Sequence, residues 1–292
     1  MKFVGVYTLN KQIESNLSGE SWMRNNVYKL EYSASFYQFP DAFFGIGNYT
    51  DVDDRESYGF DFYNTQIHMQ RKIIPFFFGG VKLFVEHTSV YDVVENGILD
   101  TQEIPGEEGG WNTGLGPWIT YDTRDNIYYP MRGVLADVSA VAHAGFLGSE
   151  YNYMHYEVEV SHYDRIMDDD VLALNYYGEF VPGDPPFNRM AELGGDKQMR
   201  GHFEGRYRDI NYMTLQAEYR ITFWKYAGIH VFGGIGQVAE TFNDFSLNGL
   251  RYSYGAGGRL FIVPEDKVSL RVDYGFDGEG NGGLYVTFRE AF

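Results

Sequence analysis

Apolar and polar residues alternate with a period of two along much of the chain. Between Asn211 and Phe223, Met213, Leu215, Ala217, Tyr219, Ile221 and Phe223 fall on one parity, and Thr214, Gln216, Glu218, Arg220 and Thr222 on the other. That period marks a strand with one apolar and one polar face. It recurs where Tyr252, Tyr254, Ala256 and Leu260 oppose Arg251, Ser253 and Arg259, and where Val268, Leu270, Val272, Tyr274 and Phe276 oppose Ser269, Arg271 and Asp273. Met154, Tyr156, Val158 and Val160 likewise oppose His155, Glu157, Glu159 and Ser161. The pattern predicts strands at 2–9, 26–38, 41–49, 59–72, 76–90, 111–123, 133–146, 150–165, 170–181, 209–224, 227–240, 250–263, 267–276 and 282–292. That makes about fourteen; the patterning is faintest in the first three, so 12 and 16 stay open.

Soluble strands average about five or six residues, and no blade-length repeat is visible, which argues against a sandwich or a propeller. Connections tend to alternate in length. Pro40-Asp41, Ile74-Pro75, 167–169, Lys225-Tyr226 and 264–266 are short, whereas 10–25, 50–58, 91–110 and 182–208 are long. Short turns at one end and long loops at the other are the habit of outer-membrane barrels, and an even strand count puts both termini at the short-turn end. The expected fold is therefore all-β: a transmembrane antiparallel up-and-down β-barrel forming one domain over 1–292, with a long inward-folded loop at about 182–208.

Composition agrees. Of 292 residues, 25 are Tyr, 23 Phe and 35 Gly, a mixture suited to strands and turns. No run reaches the roughly 18 apolar residues of a membrane helix, and the mean hydropathy of −0.35 is compatible with alternating barrel strands. A net charge of −18 makes nucleic acid an unfavourable partner. There is no cysteine, hence no disulfide framework or thiolate site. Met1–Tyr7 contains no leader-like apolar segment followed by a cleavage site. At the other end Leu284, Val286, Phe288 and Phe292 share one parity, a finish similar to that of outer-membrane barrels, with Glu290 interrupting the stripe near the interface.

Several local patterns together resemble one family, the BamA/TamA outer-membrane assembly factors, also called bacterial surface antigens. Tyr121-Asp122-Thr123-Arg124-Asp125-Asn126, followed by Pro130 and Gly133, resembles a periplasmic turn of that family, with Asp122, Arg124 and Asp125 carrying the likeness. The segment 193–202, with Arg200-Gly201, resembles the tip of its inward-folded loop. Gln216–Arg220, Val231–Gly236, Gly255–Arg259 and Val272–Tyr274 follow in the family's order. The resemblance implies a barrel of a Gram-negative outer membrane with a role in membrane biogenesis, by insertion or translocation of protein or lipid. It implies outer-membrane lipid as surroundings, and nascent outer-membrane proteins or accessory subunits as partners. The rival reading is a passive pore or a structural barrel. The family's POTRA modules do not fit ahead of a strand that begins near residue 2, so either a barrel-only member or a barrel excised from a longer protein is expected.

A guanidinium carried into a lumen needs a carboxylate, because a partly desolvated, unpaired charge costs several kcal/mol. Parity turns Glu218 inward, so Arg200–Glu218 is the expected pair, and the resemblance implies the same contact. Gly201 would allow a tight turn beside it, and Phe232, also inward, could pack on the loop. Where the family commonly has an Asp, this chain has Gly234, so a second carboxylate for Arg200 is missing at the expected place.

Arg220, Arg251, Arg259, Arg271 and Arg289 form an inward basic stripe, against Glu218 and Asp273. The stripe either attracts anions or pairs with loop carboxylates such as Asp196, Glu204 and Asp209; the structural reading is the simpler. The seven histidines show no metal-ligand spacing, and the acidic runs Asp51, Asp53, Asp54 and Asp168–Asp170 lack a Ca²⁺-loop pattern. Ser139 and His143 share one strand face without a third partner. No metal, cofactor or enzymatic activity is expected.

Overall fold

The structure is a computed structural model and describes residues 2–8, 12–167, 169–288 and 290–292. Fourteen strands form one antiparallel sheet in which each pairs with its sequence neighbours in the sheet. They are β1 (Lys2–Tyr7), β2 (Ile13–Met23), β3 (Tyr28–Phe43), β4 (Glu56–Ile74), β5 (Phe77–Tyr91), β6 (Gly109–Asp122), β7 (Gly133–His143), β8 (Tyr153–Met167) and β9 (Asp170–Phe180). Then, after a small separate hairpin of β10 (Ala191–Leu193) and β11 (Tyr207–Asp209), come β12 (Asn211–Trp224), β13 (Ala227–Ala239), β14 (Arg251–Val263), β15 (Val268–Phe276) and β16 (Gly282–Phe288). Among the described residues, β1 pairs only with β2 and β16 only with β15.

The strand count agrees with the alternation, but the first strands do not lie where it puts them. Residues 13–23, expected in a long loop, are β2, and the expected turn at Pro40-Asp41 lies inside the continuous β3. The outward face of β2 carries Ser15, Gly19 and Ser21 among Ile13, Leu17 and Met23, which mutes its apolar stripe. Pro40 lies beyond Gln38, the last residue of β3 paired with β2, where β3 has a neighbour on one side only and tolerates a missing N–H. From β4 onward the observed strands lie close to the expected ones, except that the last ends at Phe288.

The burial pattern is that of a barrel turned inside out. On the outward parity Leu215 is 53%, Val231 57% and Leu260 58% exposed, while the inward Glu218 and Arg220 are fully buried. An exposed apolar face around a polar interior suits hydrocarbon outside. Among the described residues, no helix is long and apolar enough to cross a membrane. Connections 24–27, 75–76, 169, 225–226 and 264–267 are short, while 44–55, 92–108, 181–210 and 240–250, at the opposite end, are long.

Candidate functional site: an inward loop and its arginine anchor

The connection 181–210 turns back into the lumen instead of projecting. Its apolar residues Val181, Ala191, Leu193, Met199 and Tyr207 pack with the wall residues Tyr153, Tyr212 and Val238 in one buried cluster. Met199 N–H donates to Gln216 Oε1 at 3.0 Å, and the Met199 side chain fills the space beside Gly234. A Cβ at residue 234 would come within 3.2 Å of Met199 Sδ, so the position lacking the expected carboxylate is occupied by the loop itself.

Arg200 sits at the tip with no exposed surface. Its Nη2 donates to Glu218 Oε2 at 2.7 Å and its Nη1 to Asp273 Oδ2 at 2.5 Å. The guanidinium lies over the Phe232 ring, 3.6 Å from the centroid. The second carboxylate therefore exists, supplied by β15 instead of β13. Gly201 follows with φ +117°, where a Cβ would stand 2.4 Å from the Phe276 carbonyl carbon, so only glycine fits without rearrangement. Its N–H donates to Tyr285 Oη at 2.9 Å, and Ser253 Oγ donates to the Arg200 carbonyl.

The anchor belongs to a larger buried cluster. Glu218 also accepts from Arg220 Nε at 2.8 Å and from Arg259 Nη2. Glu290 accepts from Arg259 Nε at 2.9 Å and lies 3.6 Å from Arg220 Nε. Asp273 lies 3.0 Å from Arg271 Nε and 2.8 Å from His230 Nε2. Four arginines thus face three carboxylates, all at most 4% exposed. The loop carboxylates expected to neutralise the stripe do not: only the Asp196 backbone carbonyl reaches Arg271, at 3.1 Å, and Asp209 caps the Ile210 N–H at 2.8 Å. Arg251 stands apart, pairing with Glu279 at 2.5 Å and donating to the Asn48 carbonyl. Arg289 and Asp168 lie outside the described residues.

Residues 290–292 lie off the wall. Phe288 faces outward, whereas Phe292, on the same parity, is buried with Tyr129, Tyr163, Val171 and Phe261, and its carbonyl accepts from Arg220 Nη2 at 3.0 Å. The expected common stripe therefore breaks, because residues 290–292 turn inward toward the arginine cluster, and Glu290 interrupts the stripe as a buried ion-pair partner. The turn at 123–132 closes the same end. Asp122 accepts from Arg124 Nε at 2.9 Å and Nη2 at 2.8 Å, and Asp125 Oδ1 accepts from the Met131 N–H at 2.9 Å. This fixed turn swings Tyr129 into the lumen, where its hydroxyl lies 3.2 Å from Thr222 Oγ1 and its ring packs on Phe261.

At the opposite end the connection 44–55 is stitched over the loop. Gly47 N–H donates to the Arg208 carbonyl at 2.8 Å, and Arg206 donates to Thr50 Oγ1 at 2.7 Å and to its carbonyl at 2.8 Å. Burial holds His202 below the ordinary histidine range, and its Nε2 donates to the Tyr252 carbonyl at 2.9 Å. Among the described residues Ser139 has no histidine partner. His143 Nδ1 instead lies 2.6 Å from Asn112 Oδ1, and Ser139 Oγ accepts from Lys82 Nζ at 3.0 Å. Among the described residues no group of histidines and carboxylates could hold a metal ion.

A barrel whose longest loop re-enters the lumen and is anchored there through an Arg-Gly tip is the arrangement that the local motifs imply. The Omp85 superfamily domain matches residues 7–285, nearly the whole chain. The chain belongs to the Omp85 superfamily. Its fold is similar to BamA from Haemophilus ducreyi lacking POTRA domains 1-3, with a TM-score of 0.64 and 14% identity over 95% of this chain and 60% of that one. CdiB from Acinetobacter baumannii matches with a TM-score of 0.58 and 14% identity over 91% of this chain and 47% of that one. CdiB from Escherichia coli gives 0.57 and 11% over 95% and 52%. The Omp85 chain thus spans about half to 60% of these proteins, and the likeness is one of fold. No curated protein sequence matches.

Sequence reasoning names Arg200, Gly201, Glu218 and Phe232, and the structure brings them together. It misses Asp273 as an Arg200 partner and Met199 and Tyr129 altogether, and it reads Glu290 as an interfacial charge where the structure makes it a buried ion-pair partner of Arg259. Asp273 was discoverable, since its inward parity places it on the same wall as Glu218. Tyr129 lies in an irregular turn and carries no periodic signal.

Proposed function

We propose that this chain acts in a Gram-negative outer membrane as an Omp85-type barrel for insertion or translocation of outer-membrane polypeptides, with the inward loop as its lumen closure. The observation that carries this reading is the tip: Arg200 is fully buried between Glu218 and Asp273 on the face of Phe232. So many interactions converging on one loop residue hold the loop in the lumen, which a passive wide pore does not need. The edges of β1 and β16, each paired on one side only among the described residues, offer backbone donors and acceptors to an incoming strand.

The test reconstitutes the refolded chain in phospholipid vesicles and measures the folding rate of an added, urea-unfolded outer-membrane barrel by its heat-modifiable migration. The expected result is faster folding than in protein-free vesicles. Equal rates, together with large steady conductance in a planar bilayer, would overturn the reading in favour of a pore. Equal rates with no conductance would leave a structural barrel.

A further inference from the structure

At the short-turn end, the ends of β12 and β14 and the turn at Asp169 border a pocket of about 280 Å³. The Phe261 N–H of β14 donates to the Tyr226 carbonyl at 2.9 Å, which holds the turn 264–267 beside the turn 225–226. Lys225 and Lys267, one from each turn, line the pocket together with Thr222, Trp224 and Asp169.

Both lysines lack an anion. Lys29 and Lys82 pair with glutamates, whereas Lys225 and Lys267 have no described carboxylate within ion-pair distance. Lys267 is half-buried; its Nζ donates to Met131 Sδ at 3.3 Å and lies 5.0 Å from the centroid of the Tyr129 ring. A thioether is a weak acceptor, so this ammonium gives up part of its water without gaining a full-strength partner. Lys225 Nζ stands over the Tyr226 ring, 4.6 Å from its centroid. Asp169, the one acid among the described lining residues, lies 3.4 Å from Arg165 Nη2. Glu265 and Asp266 precede Lys267 in the same turn, but both are exposed, lie outside the lining and act on the pocket through screening water.

A second, independent feature is the apolar surface around the pocket. Phe223, Trp224 and Ile262 are exposed there, and Trp224 meets Tyr226 edge-on, ring centroids 4.9 Å apart. Tryptophan and tyrosine at the end of a membrane span lie at the level of the lipid headgroups. A soluble anion would use the lysines alone. A phospholipid uses both features, its phosphate accepting from ammonium groups while its glycerol and first methylenes cover the exposed rings. We infer that this pocket binds the phosphate of a phospholipid from the leaflet at the short-turn end, with Lys225 and Lys267 as its charge partners. The inference rests on the barrel's spanning a membrane and is independent of any role in polypeptide insertion.

Native mass spectrometry of the refolded protein in non-ionic detergent, with phosphatidylglycerol added, tests this. The expected result is a phospholipid retained on the chain after the detergent is stripped, and several-fold less retention of a diacylglycerol with the same acyl chains. The Lys225→Gln/Lys267→Gln double variant should lower phospholipid retention by about fivefold per lysine removed. Lys72→Gln, which changes an exposed lysine near the end of β4 on the same rim, should leave it unchanged. Equal retention of the diacylglycerol overturns the inference, as does undiminished retention in the double variant or an equal loss in Lys72→Gln. Displacement of the lipid by an equal concentration of inorganic phosphate would also overturn it and assign the pocket to a soluble phosphate ligand. Should the double variant lose its heat-modifiable migration, Lys225→Gln, at an exposed turn position, decides the matter by the same comparison.

Discussion

Arg200→Ala removes the loop's anchor while leaving the wall beneath it in electrostatic balance. Arg220, Arg259 and Arg271 then face Glu218, Asp273 and Glu290, three against three, and each of the two carboxylates that lose Arg200 keeps another partner. Breaking a buried pair costs about 3–5 kcal/mol when a charge is left alone, and a desolvated cation–π contact contributes about 2. Because no carboxylate is stranded, the lower end applies, and about 3 kcal/mol corresponds to a roughly 100-fold larger unseated fraction of the loop. Limited trypsin digestion reads this directly, since Lys197 and Arg206 flank the tip. Cleavage at both should accelerate by about two orders of magnitude where opening limits it, while the barrel keeps its heat-modifiable migration and planar-bilayer conductance rises. Glu218→Gln should behave differently. It leaves four arginines facing two carboxylates and should destabilise the barrel itself. Unchanged tryptic rates and a closed lumen in Arg200→Ala would refute the reasoning.

Gly201→Val should unseat the tip nearly as well as losing Arg200, because φ +117° and the 2.4 Å approach to the Phe276 backbone exclude a branched side chain; tryptic rates equal to wild type would sink this. The base of the loop should depend on pH. Burial first, then Glu204, Asp41 and Glu179, push Glu192 up to about 7 against the opposing pull of Arg208. A raised carboxyl favours the seated state below its ordinary value of 4.5 and loses that contribution as pH rises through about 7. With its side chain 27% exposed, protease protection of the hairpin should fall only several-fold from pH 5 to pH 8. Glu192→Gln should flatten that profile, and an unchanged slope would reassign the effect.

The alternation of β12, β14 and β15 was legible because large apolar residues face outward at nearly every second position, and the lumen charges follow from that parity. The same logic fails for β2, whose outward serines and glycine look like loop, and at Pro40, where the sequence pattern cannot reveal that a neighbouring strand has ended. In the site, parity is enough to turn Glu218 and Phe232 toward Arg200. It cannot say which of several inward carboxylates a loop reaches, because that depends on barrel curvature, and so Asp273 went unassigned. Phe292 shows the limit of periodicity, which stops being informative once the backbone leaves the wall.

Every permanent cation in the buried cluster is an arginine, and every acid there contacts at least one guanidinium. Guanidinium does not deprotonate in proteins, and pairs without solvent contact are poorly screened by mobile ions. Ionic strength should therefore barely alter how firmly the tip is held, in contrast to the exposed Arg165–Asp169 contact. A latch of this kind is indifferent to the salt of its surroundings. It is released by competition: by a chain that offers Glu218 and Asp273 another partner, or by one that draws the loop's backbone out of the lumen.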